Sequence, residues 1–441
     1  MQNHSDLITN SLKSLNINSL NEIQLASLDA MSKNKEIVLL SPTGSGKTLA
    51  FLLPVLRVLD KSVSNVQVLI LAPSRELALQ IEQVFRSMST GFKINSCYGG
   101  HDVSTEKRNF SEPPAVLVGT PGRITEHITK GNFDTTSIHT VVFDEFDKSL
   151  EFGFHQEMSS IMSGLNGVER RILTSATQAV EIPSFTGVES PVYLDFLGNT
   201  ETLKGLSLKT VVSPDKDKVR TLFKLICTLD GEPTLVFCNH REAVDRISKF
   251  LNDYKIPNDV FHGGLEQYDR ERALVKFRNG SCNVLIATDL AARGLDIPEI
   301  KYIVHYQLPT TEESYVHRNG RTARMNAEGT SYLVLSAEEY QPVFIQSAPD
   351  VVELPEEIEL PPLPQWASLY IGKGRKDKIS KMDIVGFLAK KAMLVKEEIG
   401  MIEVKDYFSY VAIKRDKIKP TLNKIKEEKI KNMKAKFEIS F

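Results

Sequence analysis

Ser41-Pro42-Thr43-Gly44-Ser45-Gly46-Lys47-Thr48 is a segment built to hold phosphate. Gly44 and Gly46 let backbone N–H groups turn toward an anion, and a helix beginning at Lys47 adds its partial positive charge. Lys47 can reach the outer phosphates, the Thr48 hydroxyl can bind Mg²⁺, and Thr43 to Gly46 line the loop. Ser41 stands where the general pattern has its first glycine. Ninety-seven residues beyond Lys47 comes Asp144-Glu145, directly after the apolar run Thr140–Phe143. An acid at the C-terminal end of such a strand sits where open α/β sheets bind ligands. Asp144 can therefore hold Mg²⁺, and Glu145 can orient and deprotonate an attacking water.

These residues need a sheet to bring them together, and the surrounding pattern predicts one. Runs at 36–40, 66–72, 115–119, 140–143 and 171–174 are short and rich in Val, Ile and Leu, as buried parallel strands are. Amphipathic stretches at 77–88 and 154–165 alternate with them. The rhythm restarts after Pro214, with strands expected at 234–238, 259–261, 283–287, 301–306 and 330–335 and a helix at 241–251. The last 75 or so residues read β-α-β-β-α-β, the ferredoxin-like order of RNA-recognition modules. The expected fold is α/β: two parallel-sheet domains (1–200 and 201–345), a proline-rich acidic linker (346–366) and a small α+β domain (367–441).

Charge is distributed unevenly. Residues 366–441 hold 19 lysines and arginines against 10 acids, so a net of −2 for the chain divides into +9 there and −11 elsewhere. A basic tail on an acidic body suits a polyanion partner, although a solvated lysine-rich surface has the same composition. The four cysteines (97, 227, 238, 282) form no C-x-x-C pair and fit neither a disulfide framework nor a zinc site. A reducing, cytoplasmic setting is expected. No apolar run has the length of a membrane span, and the first 21 residues lack the apolar stretch of a signal peptide.

With Asp144-Glu-Phe-Asp147 and its companions, residues 7–345 resemble the DEAD-box helicases of superfamily 2. The resemblance implies two RecA-like domains, an RNA-stimulated ATPase using ATP and Mg²⁺, and roles for particular residues. Gln24 matches the glutamine that reads adenine. Pro73-Ser-Arg75, Gly99-Gly100 and Thr120-Pro-Gly-Arg123 match segments that grip the RNA backbone, so Pro73, Arg75, Gly100, Thr120 and Arg123 are RNA candidates. Ser175-Ala-Thr177 matches the motif coupling hydrolysis to strand separation. Phe237-Cys-Asn239, Gln267 with Arg270, and Ala287–Asp296 match motifs of the second domain; Gln267, Arg270 and Thr288 would touch RNA and Asp296 the nucleotide. In His317–Arg324, Arg321 and Arg324 would be arginine fingers, a device worth ~10³–10⁵ in rate. RNA held by phosphate and 2′-OH would be gripped without regard to sequence.

Three departures stand out. Phe146 replaces the alanine of the acidic motif, Asn21-Glu22 replaces the usual Thr-Pro, and no aromatic precedes Phe51 to stack on adenine, leaving Leu15 or Ile17 for that place. The tail resembles that of DbpA-type helicases through Gly372–Lys378, Asp383–Gly386, Ile399-Gly400 and Tyr410–Ile413. That implies targeting to large-subunit ribosomal RNA and a part in ribosome biogenesis. Arg375, Lys376 and Lys378 are the first candidates for phosphate contacts, and Tyr407, Phe408 and Tyr410 for base stacking. The expected state is a monomer. A DNA helicase or an ATP-gated RNA clamp would share the nucleotide motifs, but the ordered set is the RNA-directed one and Lys47, Asp144, Glu145 and both fingers are intact.

Overall fold

The computed structural model describes residues 4–42, 44–100, 103–177, 181–197, 206–289, 300–322, 329–345 and 349–440. They fall into two compact units, divided along the chain after residue 204. None of the described helices is long and apolar enough to cross a membrane.

The first unit is built on a parallel sheet of β1 (Glu36–Leu40), β2 (Val68–Leu71), β3 (Ile94–Cys97), β4 (Val116–Gly119), β5 (Thr140–Phe143), β6 (Arg170–Ser175) and β7 (Val192–Asp195). Their order in space is β3-β4-β2-β5-β6-β1-β7. Strands such as Val68-Leu-Ile-Leu71 are buried on both faces, under helices on each side, which is why they read as continuous apolar runs. β3 and β7 were not legible: Ile94-Asn-Ser-Cys97 and Val192-Tyr-Leu-Asp195 mix polar and apolar residues at sheet edges. The order matters for function. The chain leaves β1 and returns as β2 three positions away, and β5 and β6 later fill the two places between them. The acids after β5 and Ser175 at the end of β6 therefore lie beside the phosphate loop after β1.

The second unit repeats the plan with β8 (Leu206–Ser213), β9 (Thr234–Cys238), β10 (Asn258–Phe261), β11 (Val284–Thr288), β12 (Tyr302–His305), β13 (Gly329–Ser336) and β14 (Asp350–Val351), ordered β10-β11-β9-β12-β13-β8-β14. β14 is a departure from the expected linker. Asp350 and Val351 pair with Lys209 and Thr210 of β8, and Val352, Leu354 and Ile358 pack on the same core. The acidic, proline-rich segment is thus partly a strap on the second domain.

The same unit carries the small domain: β15 (Trp366–Ile371), β16 (Ile399–Val404), β17 (Ser409–Lys414), a short hairpin of β18 (Lys429–Ile430) and β19 (Met433–Lys434), and β20 (Phe437–Ser440). The antiparallel order β16-β17-β15-β20 is the expected ferredoxin-like one. Helices at Lys381–Phe387 and Arg415–Ile425 cover one face. The first of these helices ends at Phe387 and the chain continues as a π turn to Ala392.

Candidate nucleotide and RNA site

In the first unit the backbone joins the motifs directly. Ser41 N–H donates to Ser175 O at 3.0 Å, so the phosphate loop starts hydrogen-bonded to the coupling motif. Gly44 and Gly46 have φ of +86° and +90°, the left-handed region where other residues are strained. Gly46 caps the Lys47–Leu56 helix, Thr48 lies in its first turn, and Ser45 is half-buried in the loop. Lys47 is buried and its Nζ donates to Ser41 O at 2.6 Å.

Gln24 lies against this loop through a capping box. Asn21 Oδ1 accepts from Gln24 N–H and Gln24 Oε1 from Asn21 N–H, both at 3.1 Å. Asn21 Nδ2 then reaches Ser45 O at 2.9 Å. A Cβ added to Gly46 would come within 2.7 Å of Gln24 Nε2 and push that side chain aside, in addition to the strain of its positive φ. Asn21 is a site residue that motif matching passed over as a mere departure. The Asn-x-x-Gln capping pattern was the available signal.

Asp144 is wholly enclosed. Burial, reinforced by the neighbouring Glu145 charge, pushes its carboxyl up to about 6. Thr174 bridges the two acids: its hydroxyl donates to Asp144 Oδ1 at 2.6 Å and accepts from Glu145 N–H at 3.0 Å. Glu145 takes a left-handed φ of +46° at the start of Phe146–Glu151, a strained conformation of the sort concentrated at functional sites. Asp147 Oδ2 accepts from Ala176 N–H and Thr177 Oγ1, each at 3.2 Å, and Ser175 Oγ donates to Thr177 O at 2.8 Å. The acidic and coupling motifs are one hydrogen-bonded piece. Phe146 points away into the core, edge-on to Phe143 at 5.5 Å, which explains why its size is tolerated.

The RNA candidates of this unit follow β2, β3 and β4, the neighbouring half of the same sheet edge. Ser74, after the buried Pro73, caps the Arg75–Ser87 helix, and the Arg75 guanidinium lies 4.4 Å from the centre of the Tyr98 ring. Gly100 has φ +90°. Thr120 precedes the Pro121–Thr129 helix, which carries Arg123. Arg123 Nη1 bonds Glu106 Oε2 at 2.9 Å, while Glu106 Oε1 accepts from Tyr98 N–H at 3.0 Å. Glu106 was missed, because one acid in a polar stretch gives no sign of being enclosed.

In the second unit, Gln267 and Arg270 share the first turn of the Gln267–Arg278 helix, and Thr288 ends β11. Arg321 follows the Glu312–Asn319 helix. Thr43, Asp296 and Arg324 lie outside the described residues. The motif's first arginine, also unassigned from sequence, is Arg318. It is 1% exposed, holds Asp289 through two nitrogens at 2.5 and 2.7 Å, and bonds Asn239 Oδ1 at 2.7 Å. Arg318 thus ties β9, β11 and its own helix together at the sheet edge.

In the small domain Arg375, Lys376 and Lys378 are exposed around a single 3-10 turn. Lys376 Nζ donates to Tyr407 Oη at 2.8 Å and lies 4.7 Å from that ring's centre. Arg375 Nε is engaged with Val404 O at 2.9 Å. Of the three aromatics expected to meet bases, Tyr407 is open to solvent, Phe408 is half-buried and Tyr410 is 1% exposed.

Comparison with known proteins identifies the family. The DEAD/DEAH box helicase model matches residues 21–184, the helicase conserved C-terminal domain 217–326 and the DbpA RNA binding domain 368–439. The chain is 31% identical to the ATP-dependent RNA helicase DbpA of Escherichia coli over 92% of its length and 91% of the relative's. It is 29% identical to that of Bacillus subtilis over 97% and 96%. In fold it is similar to Saccharomyces cerevisiae Dbp5, solved bound to RNA and ADP BeF3, with a TM-score of 0.67 and 24% identity over 77% of this chain and 90% of that one. The chain belongs to the DEAD-box family of ATP-dependent RNA helicases, in its DbpA-type branch.

Proposed function

We propose that the chain hydrolyses ATP with Mg²⁺ to separate short RNA duplexes or remodel RNA, and that its substrate is large-subunit ribosomal RNA during ribosome assembly. The observation that carries the catalytic reading is the Thr174 bridge, which fixes Asp144 and Glu145 beside the phosphate loop. Asp144 and the Thr48 hydroxyl are hard oxygen donors suited to Mg²⁺, and a cation there would offset the cost of enclosing two adjacent acids. The ion would neutralise charge on the outer phosphates. Lys47 binds those phosphates, Gln24 the adenine, and Glu145 orients the water and accepts its proton. Arg321 and Arg324 serve as the arginine fingers, and Asp296 contacts the nucleotide. The bond from Asp147 to Thr177 links the acids to the coupling residues Ser175 and Thr177.

RNA is held by Pro73, Arg75, Gly100, Thr120 and Arg123 in one unit and by Gln267, Arg270 and Thr288 in the other. The basic surface around Arg375, Lys376 and Lys378 supplies the preference for ribosomal RNA. The protein works as a cytoplasmic monomer. The test is Glu145→Gln, which should bring ATP turnover close to zero while nucleotide affinity stays within about 3-fold of the parent, a difference of about 0.7 kcal/mol. Full turnover in that variant removes Glu145 from the mechanism. Stimulation by single-stranded DNA equal to that by RNA removes the substrate assignment.

A further inference from the structure

Side chains alternate along β15 and β17, and both of their faces are covered. Leu369, Ile371, Val411 and Ile413 enter the small domain's own core. Ser368, Tyr370, Tyr410 and Ala412 point the other way, where RNA-recognition modules commonly stack bases. Here Ser368 and Ala412 are fully enclosed and Tyr410 nearly so.

The cover is the Gln267–Arg278 helix and the turn after it. Tyr268 packs edge-on to Phe408 at 5.2 Å and to Tyr370 at 6.5 Å, and its hydroxyl lies 3.1 Å from that of Tyr410. At the other end Arg278 Nε pairs with Glu403 at 3.4 Å. Beside it, Asn279 Nδ2 donates to Ser368 Oγ at 2.7 Å, Ser281 Oγ lies 2.8 Å from the same oxygen, and Arg415 reaches Ser281 O. A buried polar network of this kind is satisfied in one register only, and sliding would orphan its members.

The small domain's sheet face seats this helix, and we propose that Tyr268 is a positioning residue for Gln267 and Arg270. At 100° per residue, Tyr268 and Arg272 lie within about 40° of each other, and Gln267 and Arg270 lie about 100° and 160° from Tyr268. One turn therefore presents the grip on one side and its anchor on the other. The small domain seats the helix that holds RNA, and RNA meets the small domain at its exposed loops instead of its sheet. This rests on the reading of Gln267 and Arg270 as RNA contacts.

The test uses the full chain, with poly(A) RNA as the probe of the core and amide exchange as the probe of docking. Tyr268→Ala should raise the half-stimulating RNA concentration by about 2- to 10-fold, the range that one lost aromatic cluster carries. Turnover at saturating RNA should hold, and exchange in β15 and β17 should quicken. Tyr268→Phe keeps the ring contacts and should stay near the parent. Arg278→Glu, roughly 16 Å along the helix from Gln267, should reproduce the loss in part, and adding Glu403→Arg should restore it. Unchanged exchange in Tyr268→Ala overturns the docking role, and unchanged RNA dependence alongside quickened exchange overturns the positioning role. Tighter RNA binding would mean that the uncovered sheet takes bases, which also overturns the proposal. A parent that RNA does not stimulate would instead sink the underlying RNA reading, and the exchange results would still decide docking.

Discussion

The carboxylate of Glu106 grips the guanidinium of Arg123 at 2.9 Å, with both side chains at least nine-tenths enclosed. The same oxygen lies 2.7 Å from His127 Nε2, and the other accepts from Tyr98 N–H just ahead of Gly99-Gly100. One acid thus aims two of the segments proposed to hold the RNA backbone. Glu106→Gln removes the nearer and more deeply buried of two counter-charges on Arg123, Glu126 remaining at 3.4 Å, so the loss is below the ~3 kcal/mol of a buried charge left wholly unpaired. The expected outcome is a half-stimulating RNA concentration up by about 10-fold, or about 1.4 kcal/mol, with an unchanged KM for ATP. A parallel rise in the KM for ATP would show general damage instead.

Leu15 packs on the first unit's core and lines a small cavity with Gln80, Gln83, Val84 and Ser87 of the Arg75–Ser87 helix. Ile17 is half-buried and, among the described residues, is not one of those packed against the first unit's core. Of the two positions open for an adenine-stacking ring, only Ile17 is not committed to packing. Ile17→Phe should tighten ATP binding, within the ~1–3 kcal/mol that aromatic stacking of a base provides. Leu15→Phe should leave ATP affinity alone and lower the melting temperature by overpacking. Equilibrium titration with a fluorescent ATP analogue decides both.

Deleting residues 366–441 is a poor test of the tail, because it would uncover Tyr268, Asn279 and Ser281 along with removing charge. Lys376→Ala with Lys378→Ala is cleaner, since Arg375 also bonds Val404 O and supports its loop. If both lysines neutralise phosphates, the slope of log affinity against log salt should flatten by about 1.5–2 on ribosomal RNA. An unaltered slope would move the RNA surface elsewhere on the domain.

His305 is enclosed against Arg318, and burial first, then that positive charge, lowers its pKa to about 3. Once unfolded it regains a value near 6.5. Below that pH the unfolded chain takes up a proton that the folded chain refuses, so stability falls as pH drops from about 6.5 toward 3. His305→Gln should flatten this acid limb by up to about 1.4 kcal/mol per pH unit. Urea midpoints measured from pH 7 to pH 4.5 would read it, and parallel limbs in parent and variant would contradict it.

What the chain's order of residues determined by itself was everything local. The phosphate loop, the Asp144-Glu145 pair, the paired α/β domains and the β-α-β-β-α-β tail each declare themselves within a few neighbouring residues. Glycines set backbone geometry there, apolar runs set burial, and spacing sets order. What only the tertiary structure decided were relations between distant segments. Glu106 becomes a hub because β3 and β4 lie side by side, and Arg318 becomes a tie because β9 and β11 do. Phe408 and Tyr410, which read equally well as base-stacking rings, are given a different partner once Tyr268 arrives from 140 and 142 residues away in the chain. A ring's chemistry is written in the residue, but whether it meets a base or another ring is settled by which surface the rest of the chain covers.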